Sequence, residues 1–375
     1  MAFRFIHSSD LHIGKKFGTI PQPADGNIRG RLMEARHSAI GRLAAAARDH
    51  GAAHILLAGD TFDTATPSPS VIRQALAAMG EAAEVTWWML PGNHDNLREA
   101  EPLWDMIRRD GPPNVVALDT GEPRDLGGAT LLPCPVEYRA NASDLTEPLV
   151  RMPSPEGALR IGLAHGGVTD FNETGASIAP DRDRSARLDY LALGDWHGRM
   201  RVSDRVQFSG SPEQDQFKHD RRGVCLAVQI DGPGAAPQVR EVETGTFLWR
   251  EVPLPLHRGQ DCAAALAAVL PASGRRDILM RVAARGWAGL ADQAVLRQAA
   301  QIHAPEFAHF DLDTSTLGTE YDTADLDEID RGGALRLAAD ALMAEAESGT
   351  LSKEDKDIAA ASLARLYAYV REAAE

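Results

Sequence analysis

Two rhythms of apolar residues share the first third of the chain. Residues 3–8 form a short apolar run of strand length, and 32–50 then set Leu32, Ala35, Ala39, Leu43 and Ala47 at helical spacing, with Gly51 as the stop. Further strands are expected at 54–58 and 85–90, and helices at 70–79 and 98–109. This β-α-β-α-β order implies a layered α/β sheet with largely parallel strands. Functional groups in such sheets gather just beyond the carboxyl ends of the strands.

From about residue 128 strands dominate, at 129–132, 159–164, 190–193, 206–208, 223–229 and 237–242, with a Pro/Gly/Ala loop tip at 232–237. The character shifts near 247–255, and a strand–helix–strand unit follows at 277–282, 292–304 and 307–313. Two amphipathic helices, 334–345 and 353–374, flank a break at Ser348-Gly349. The expected organisation is a large domain at 1–245, a small βαβ cap at 246–320 and a helical tail at 321–375. In the tail, Ala359, Leu363, Leu366 and Val370 make a helical stripe that either packs on its own domain or docks on a partner helix.

Charge narrows the picture. With 39 Lys+Arg against 54 Asp+Glu, the formal net charge is −15, which argues against a protein that coats nucleic acid non-specifically. A local basic groove remains compatible with it. Three scattered cysteines without a C-x-x-C pair suit a reducing cytoplasm and speak against a disulfide framework or a zinc knuckle. The start carries Arg4, Asp10 and His12 and does not read as a signal peptide. No apolar stretch reaches the roughly 18–20 residues of a membrane helix. The expectation is a soluble cytoplasmic protein.

The chemistry is concentrated in five short motifs: Asp10-Leu-His12, Gly59-Asp60-Thr-Phe-Asp63, Gly92-Asn93-His94-Asp95, Ala164-His165-Gly166-Gly167 and Gly194-Asp195-Trp-His197-Gly198. Each places Asp, Asn or His directly after an apolar run, where side chains can converge above a sheet edge. A mixed oxygen and nitrogen donor set without cysteine suits manganese, iron or zinc. One such motif alone is more often a helix cap or turn. Five in order, each after an expected strand, point to a metal site. No P-loop, G-x-G-x-x-G or G-x-S-x-G pattern is present, which removes ATP hydrolysis, dinucleotide binding and serine-hydrolase chemistry.

On these motifs the chain resembles the calcineurin-like metallophosphoesterases, and within them the bacterial SbcD/YhaO-type DNA repair exonucleases that partner SMC-type coiled-coil ATPases. The resemblance spans about residues 3–242. The Phe-Asp ending of the second motif and Phe208-Ser-Gly210-Ser211-Pro212 carry the likeness to the exonuclease branch. It implies a four-layer α-β-β-α sandwich with a small α/β cap and C-terminal helices. It further implies one divalent metal held by Asp10, His12, Asp60 and His197 and a second by Asp60, Asn93, His165 and Asp195. Manganese is the first expectation for both, with magnesium, iron or zinc as alternatives. Two such ions would activate a water and clamp the attacking and leaving oxygens. His94 would act beside the leaving oxygen, oriented by Asp95. Asp63 and Ser9 are expected as supporting or turn residues, and His7 as a hydrogen-bonded core histidine.

One departure matters. The family usually has Gly-His-x-His where this chain has Gly194-Asp195-Trp196-His197. An anionic oxygen there favours a hard ion such as manganese or magnesium. The alternative is a weakened second site. Lys15, Lys16, Arg31 and Ser211 are candidate substrate contacts. Three functions remain open: a DNA exonuclease, a phosphoesterase of small molecules, and a regulatory subunit of an SMC-type ATPase complex with dampened catalysis. DNA, the ATPase subunit and a second copy of the chain are the expected partners, and a membrane is not.

Overall fold

The computed structural model describes residues 2–23, 26–139, 143–168, 177–320, 329 and 333–374. They divide into two compact units, Met1–Leu248 and Trp249–Glu375.

In the first unit, β1 (Phe3–Ser8), β2 (His54–Leu57), β3 (Thr86–Met89) and β4 (Val115–Ala117) run parallel in that order. A second six-stranded sheet has the order β5-β6-β7-β8-β10-β9, from β5 (Arg124–Asp125), β6 (Ala129–Cys134), β7 (Leu159–His165), β8 (Tyr190–Gly194), β9 (Met200–Arg201) and β10 (Val206–Phe208). Its four strands β6, β7, β8 and β10 are parallel neighbours. The first sheet is completed by β11 (Val224–Ile230), antiparallel to β1, and β12 (Gln238–Glu243), antiparallel to β11.

Apolar side chains on both faces of each sheet dictate the layers. Phe5, Leu56 and Val228 from the first sheet meet Leu131, Leu163 and Tyr190 from the second, forming the core between them. Ile6, Leu57 and Trp87 point the other way, where Ile40, Leu43, Leu76 and Trp104 of α1 (Ile28–His50), α2 (Pro69–Gly80) and α3 (Glu101–Asp110) cover them. Such strands are buried on both faces and therefore read as near-continuous apolar runs. The outer face of the second sheet packs with Leu149 and Ala186, beside a 3₁₀ turn (Glu147–Val150) and the short α4 (Arg182–Ser185). Among the described residues the fourth layer is thus thin. The first unit is the expected α/β sandwich.

Helix ends follow local chemistry. Asn27 accepts from Gly30 N at the start of α1, and Gly51 closes it in the left-handed conformation (φ 66°). Ser68 caps α2, whose first residue is Pro69. His7 is fully buried between the sheets: its Nε2–H donates to Leu193 O (3.2 Å) while Nδ1 accepts the Tyr190 hydroxyl (3.1 Å).

The second unit holds a sheet ordered β13 (Leu248–Leu256), β14 (Ile278–Gly289) and β15 (His309–Glu320). Strands β14 and β15 are parallel, with a register shift between Ala283 and Arg285. Both continue about seven residues beyond the expected 277–282 and 307–313. Helices α5 (Cys262–Val269), α6 (Leu290–His303), α7 (Ala334–Ala346) and α8 (Lys353–Ala374) complete it. The residues expected as separate cap and tail lie together in this unit, and the boundary expected at 320/321 adjoins residues outside the described set. Leu363 of the tail stripe packs with Leu290, Ile329, Ala339, Ala364 and Tyr367, and Leu366 and Val370 join partly buried, so the stripe serves its own unit. Of the two readings of that stripe, its contacts follow packing on its own unit. Among the described residues no helix is long and apolar enough to cross a membrane.

Candidate metal centre

All five motifs follow parallel strands: Asp10 and His12 after β1, Asp60 after β2, Asn93 and His94 after β3, His165 at the end of β7, Asp195 and His197 after β8. The strand ends of the two sheets approach closely enough that glycine is obligatory. A Cβ on Gly194 would sit 2.0 Å from Ala58 O, and one on Gly59 (φ 89°) 2.3 Å from His165 Nδ1. Four of the candidate ligands, Asp10 (φ 55°), His12 (43°), Asp60 (53°) and Asp195 (102°), hold left-handed backbone. Strain of about 1–3 kcal/mol per such residue concentrates where the surrounding structure fixes a functional geometry.

The histidines share one device. His165 Nδ1–H donates to Ala58 O (2.8 Å), His197 Nδ1–H to Asp215 Oδ1 (3.1 Å), and His94 Nδ1–H to Asp63 O (2.7 Å). His12 Nδ1 lies 3.2 Å from Asp63 Oδ1. With Nδ1 so engaged, the neutral rings of His165, His197 and His94 turn an Nε2 lone pair into the centre.

Those lone pairs meet each other and carboxylates. His12 Nε2 and His197 Nε2 are 3.2 Å apart, each 4.0 Å from Asp10 Oδ1. Asp60 Oδ2 lies 3.7 Å from His12 Nε2 and 3.5 Å from His165 Nε2, a bridging position between two groups. Asp195 Oδ1 is 3.7 Å from His165 Nε2 and accepts from Asn93 Nδ2 (3.1 Å). The carboxylate that replaces the usual histidine therefore points into the second group.

The donor set fits divalent cations. His165 Nε2 and Asn93 Oδ1 are buried with no hydrogen-bond partner, a cost of about 1–3 kcal/mol each unless something binds there. Asp10, His12 and His197 present ligand atoms within 4.8 Å of one another, as do Asp10, Asp60 and His165, and His12, Asp60 and His94. Hard oxygens and imidazoles in this mixture suit manganese, magnesium, iron or zinc.

Electrostatics agree. Burial alone would lower the His165 pKa, but the Asp60 charge and contact raise it well above its ordinary value. His197 is raised despite burial by its hydrogen bond to Asp215 and the charge of Asp10. Burial would raise Asp60, but His165 and His12 hold it below the usual carboxylate range. Asp195 is raised by burial, with Asp10 and Asp60 adding to it. In the protein alone, protons on imidazole balance the carboxylates, and a divalent cation would replace them.

Several expected roles change. Asp95 does not orient His94; its carboxylate accepts Gly92 N (2.7 Å) and Phe62 N (3.1 Å), tying together the loops after β2 and β3. Burial first, then Asp60, pushes its pKa up to about 7. Ser211 is fully buried, its hydroxyl within reach of Asp10 O (2.7 Å) and Glu213 O (2.6 Å), so it holds backbone where a substrate contact was expected. Lys15 lies 2.7 Å from Asp215 and spends its charge there. Lys16 is exposed, and the Arg31 guanidinium lies 5.1 Å over the Phe247 ring. Ser9 donates to Asp10 Oδ2 (2.5 Å), the supporting role expected of it.

Sequence reasoning missed Asp215 and Arg36. Nothing in the irregular stretch after Pro212 singles out Asp215. Arg36 did carry a signal: it adjoins the apolar stripe Leu32, Ala35, Ala39, and a charge on a buried helix face requires a partner.

YhaO of Bacillus subtilis, an uncharacterised metallophosphoesterase, is 26% identical over 229 residues, 57% of this chain and 53% of its own length. The chain thus spans about half of that relative. A subunit of the SbcCD nuclease of the same organism is 25% identical over 279 residues, 64% of this chain and 69% of its own. The crystal structure of TT1561 of Thermus thermophilus aligns with TM-score 0.40 at 12% identity, over 64% of this chain and 99% of that one. The calcineurin-like phosphoesterase family model matches residues 3–198, from β1 through the last histidine of the cluster, and to that family the chain belongs.

Proposed function

We propose that the chain is a two-metal phosphodiesterase that hydrolyses DNA from an end. Membership of the family carries metal-dependent phosphoester hydrolysis. The observation behind a two-metal site is Asp60 Oδ2, placed 3.7 Å from His12 Nε2 and 3.5 Å from His165 Nε2, between two separate ligand groups. Asp10, His12, Asp60 and His197 would hold one ion, and Asp60, Asn93, His165 and Asp195 the other. When bound, the ions supply Lewis acidity and a water nucleophile near neutral pH. His94 Nε2 is left free by the Nδ1 bond to Asp63 O, and in the doubly protonated ring it would carry the proton that a leaving oxygen takes. Asp195 adds a hard oxygen, which favours manganese or magnesium.

The DNA substrate is supported by the relative named as part of a nuclease. An SMC-type ATPase subunit and a second copy of this chain are the partners we propose on the same likeness. Three free, buried cysteines suit the cytoplasm. A second reading, hydrolysis of small phosphoesters, is favoured by the net charge of −15. Linear duplex DNA and bis(p-nitrophenyl) phosphate, each with Mn²⁺, separate the two. Shortening of the duplex supports the nuclease; cleavage of the ester alone removes it.

A further inference from the structure

Asp215 stands 18 residues beyond His197, in the loop after β10, and its side chain is wholly buried. A buried carboxylate is costly unless its oxygens are all engaged. Here Oδ2 takes two cations, Lys15 Nζ at 2.7 Å and Arg36 Nη2 at 2.8 Å, while Oδ1 takes His197 Nδ1 at 3.1 Å. The other arm of Arg36 donates to the carbonyls of Leu11 (2.5 Å) and Asp10 (3.3 Å). One carboxylate therefore links the loop that carries Asp10 and His12 to the loop that carries His197.

We propose that Asp215 is the positioning residue of the first metal group: Oδ1 fixes the His197 ring so that Nε2 faces His12, while Lys15 and Arg36 anchor the carboxylate through Oδ2. The inference rests on the metal reading above and deepens it. It gives Lys15 a task in place of a phosphate contact, namely to neutralise the anchor of a ligand. Asparagine cannot reproduce the arrangement. With its oxygen toward His197, its amide hydrogens oppose Lys15 and Arg36; turned over, they oppose the Nδ1 proton. Loss of such a support behind a metal-bound histidine lowers metal affinity about 10–100-fold. The second group, Asp60, Asn93, His165 and Asp195, shares none of these contacts and keeps its ion.

The test is calorimetric titration of Mn²⁺ into metal-stripped wild type and Asp215→Asn. Wild type should bind two ions; the variant should weaken one step about 10–100-fold and leave the other unchanged. Two unaltered steps in the variant overturn the role of Asp215 and leave the metal reading standing. A wild type that binds no ion removes both. Because a buried substitution can block folding, ¹⁵N-histidine spectra of the Zn²⁺-loaded wild type give a second readout, with His197→Gln identifying the resonance. A proton retained on His197 Nδ1 with zinc on Nε2 supports the proposal; zinc on Nδ1 overturns it.

Discussion

His12 and His197 meet Nε2 to Nε2 at 3.2 Å, although they come from different sheets and lie 185 residues apart. Each Nδ1 is directed to a carboxylate, Asp63 in one case and Asp215 in the other. In the metal-free protein a proton on His197, whose pKa is raised, lets the two nitrogens approach, and its place can be taken by a cation. The neighbouring Asp10 and Asp60 carboxylates supply the anionic charge that would hold one.

Removal of metal should therefore destabilise the protein. At Mn²⁺ about 100-fold above Kd, binding adds roughly 2.7 kcal/mol, which for a unit of this size raises Tm by about 5–10 °C. Asp60→Asn should abolish that increment, because the bridging charge is gone, and should also lower the metal-free Tm, because Asp60 balances His165 and His12 there. Differential scanning fluorimetry with Mn²⁺ or EDTA reads both. An Asp60→Asn protein still stabilised like wild type would contradict the bridging role.

Affinity for Mn²⁺ should fall with pH. His165 and His197 are raised above the ordinary histidine value in the metal-free protein, so below those values the ion must displace protons. Titrations in buffers of different ionisation enthalpy should show proton release on binding, growing as pH drops. Binding without released protons would count against imidazole ligation.

Asp195→His restores the residue usual in the family. The second group should then gain about tenfold for Zn²⁺ relative to Mn²⁺, since a nitrogen replaces a hard oxygen. Competition titration measures the ratio. An unchanged ratio would place Asp195 outside the coordination sphere.

His94→Ala should separate chemistry from binding. Its backbone N–H still donates to Asp60 Oδ1 (2.9 Å), so both ions should bind as in wild type. Loss of a positioned acid costs about 10²–10⁴ in kcat. Equal losses of metal affinity and turnover would make His94 a ligand instead.

Stability should decline in acid partly through His7. Burial, only partly offset by its bond to Leu193, lowers its pKa to about 3. Below pH 6.5 the unfolded chain takes up a proton that the folded chain refuses, so stability is present above 6.5 and lost as pH falls. The slope is about 1.4 kcal/mol per pH unit until about pH 3. Urea unfolding of wild type and His7→Gln between about pH 7 and 5 should show a shallower slope in the variant.

Much of the candidate centre was legible because its residues follow parallel strands, where a short apolar run and the polar residue after it are adjacent in sequence. Asp10, Asp60, Asn93 and His165 needed no tertiary information to be suspected. Their supports did. Ser211 looks like a polar residue available to substrate and Asp95 like the partner that orients His94, and only burial and hydrogen bonding reveal that they brace backbone. Lys15 reads as a free cation until Asp215 is found beside it. Strand β13 was obscured by Pro253 and Pro255, which suppress strand signals although Trp249, Leu254 and Leu256 are buried. The α8 stripe was clear as a periodicity, but a period does not say which surface covers it.

Anomalous scattering from crystals soaked in Mn²⁺ addresses the central claim most directly. Two peaks are expected, one among Asp10, His12 and His197 and one among Asn93, His165 and Asp195, with Asp60 touching both. No peak at these side chains, or manganese bound only elsewhere, would contradict the account.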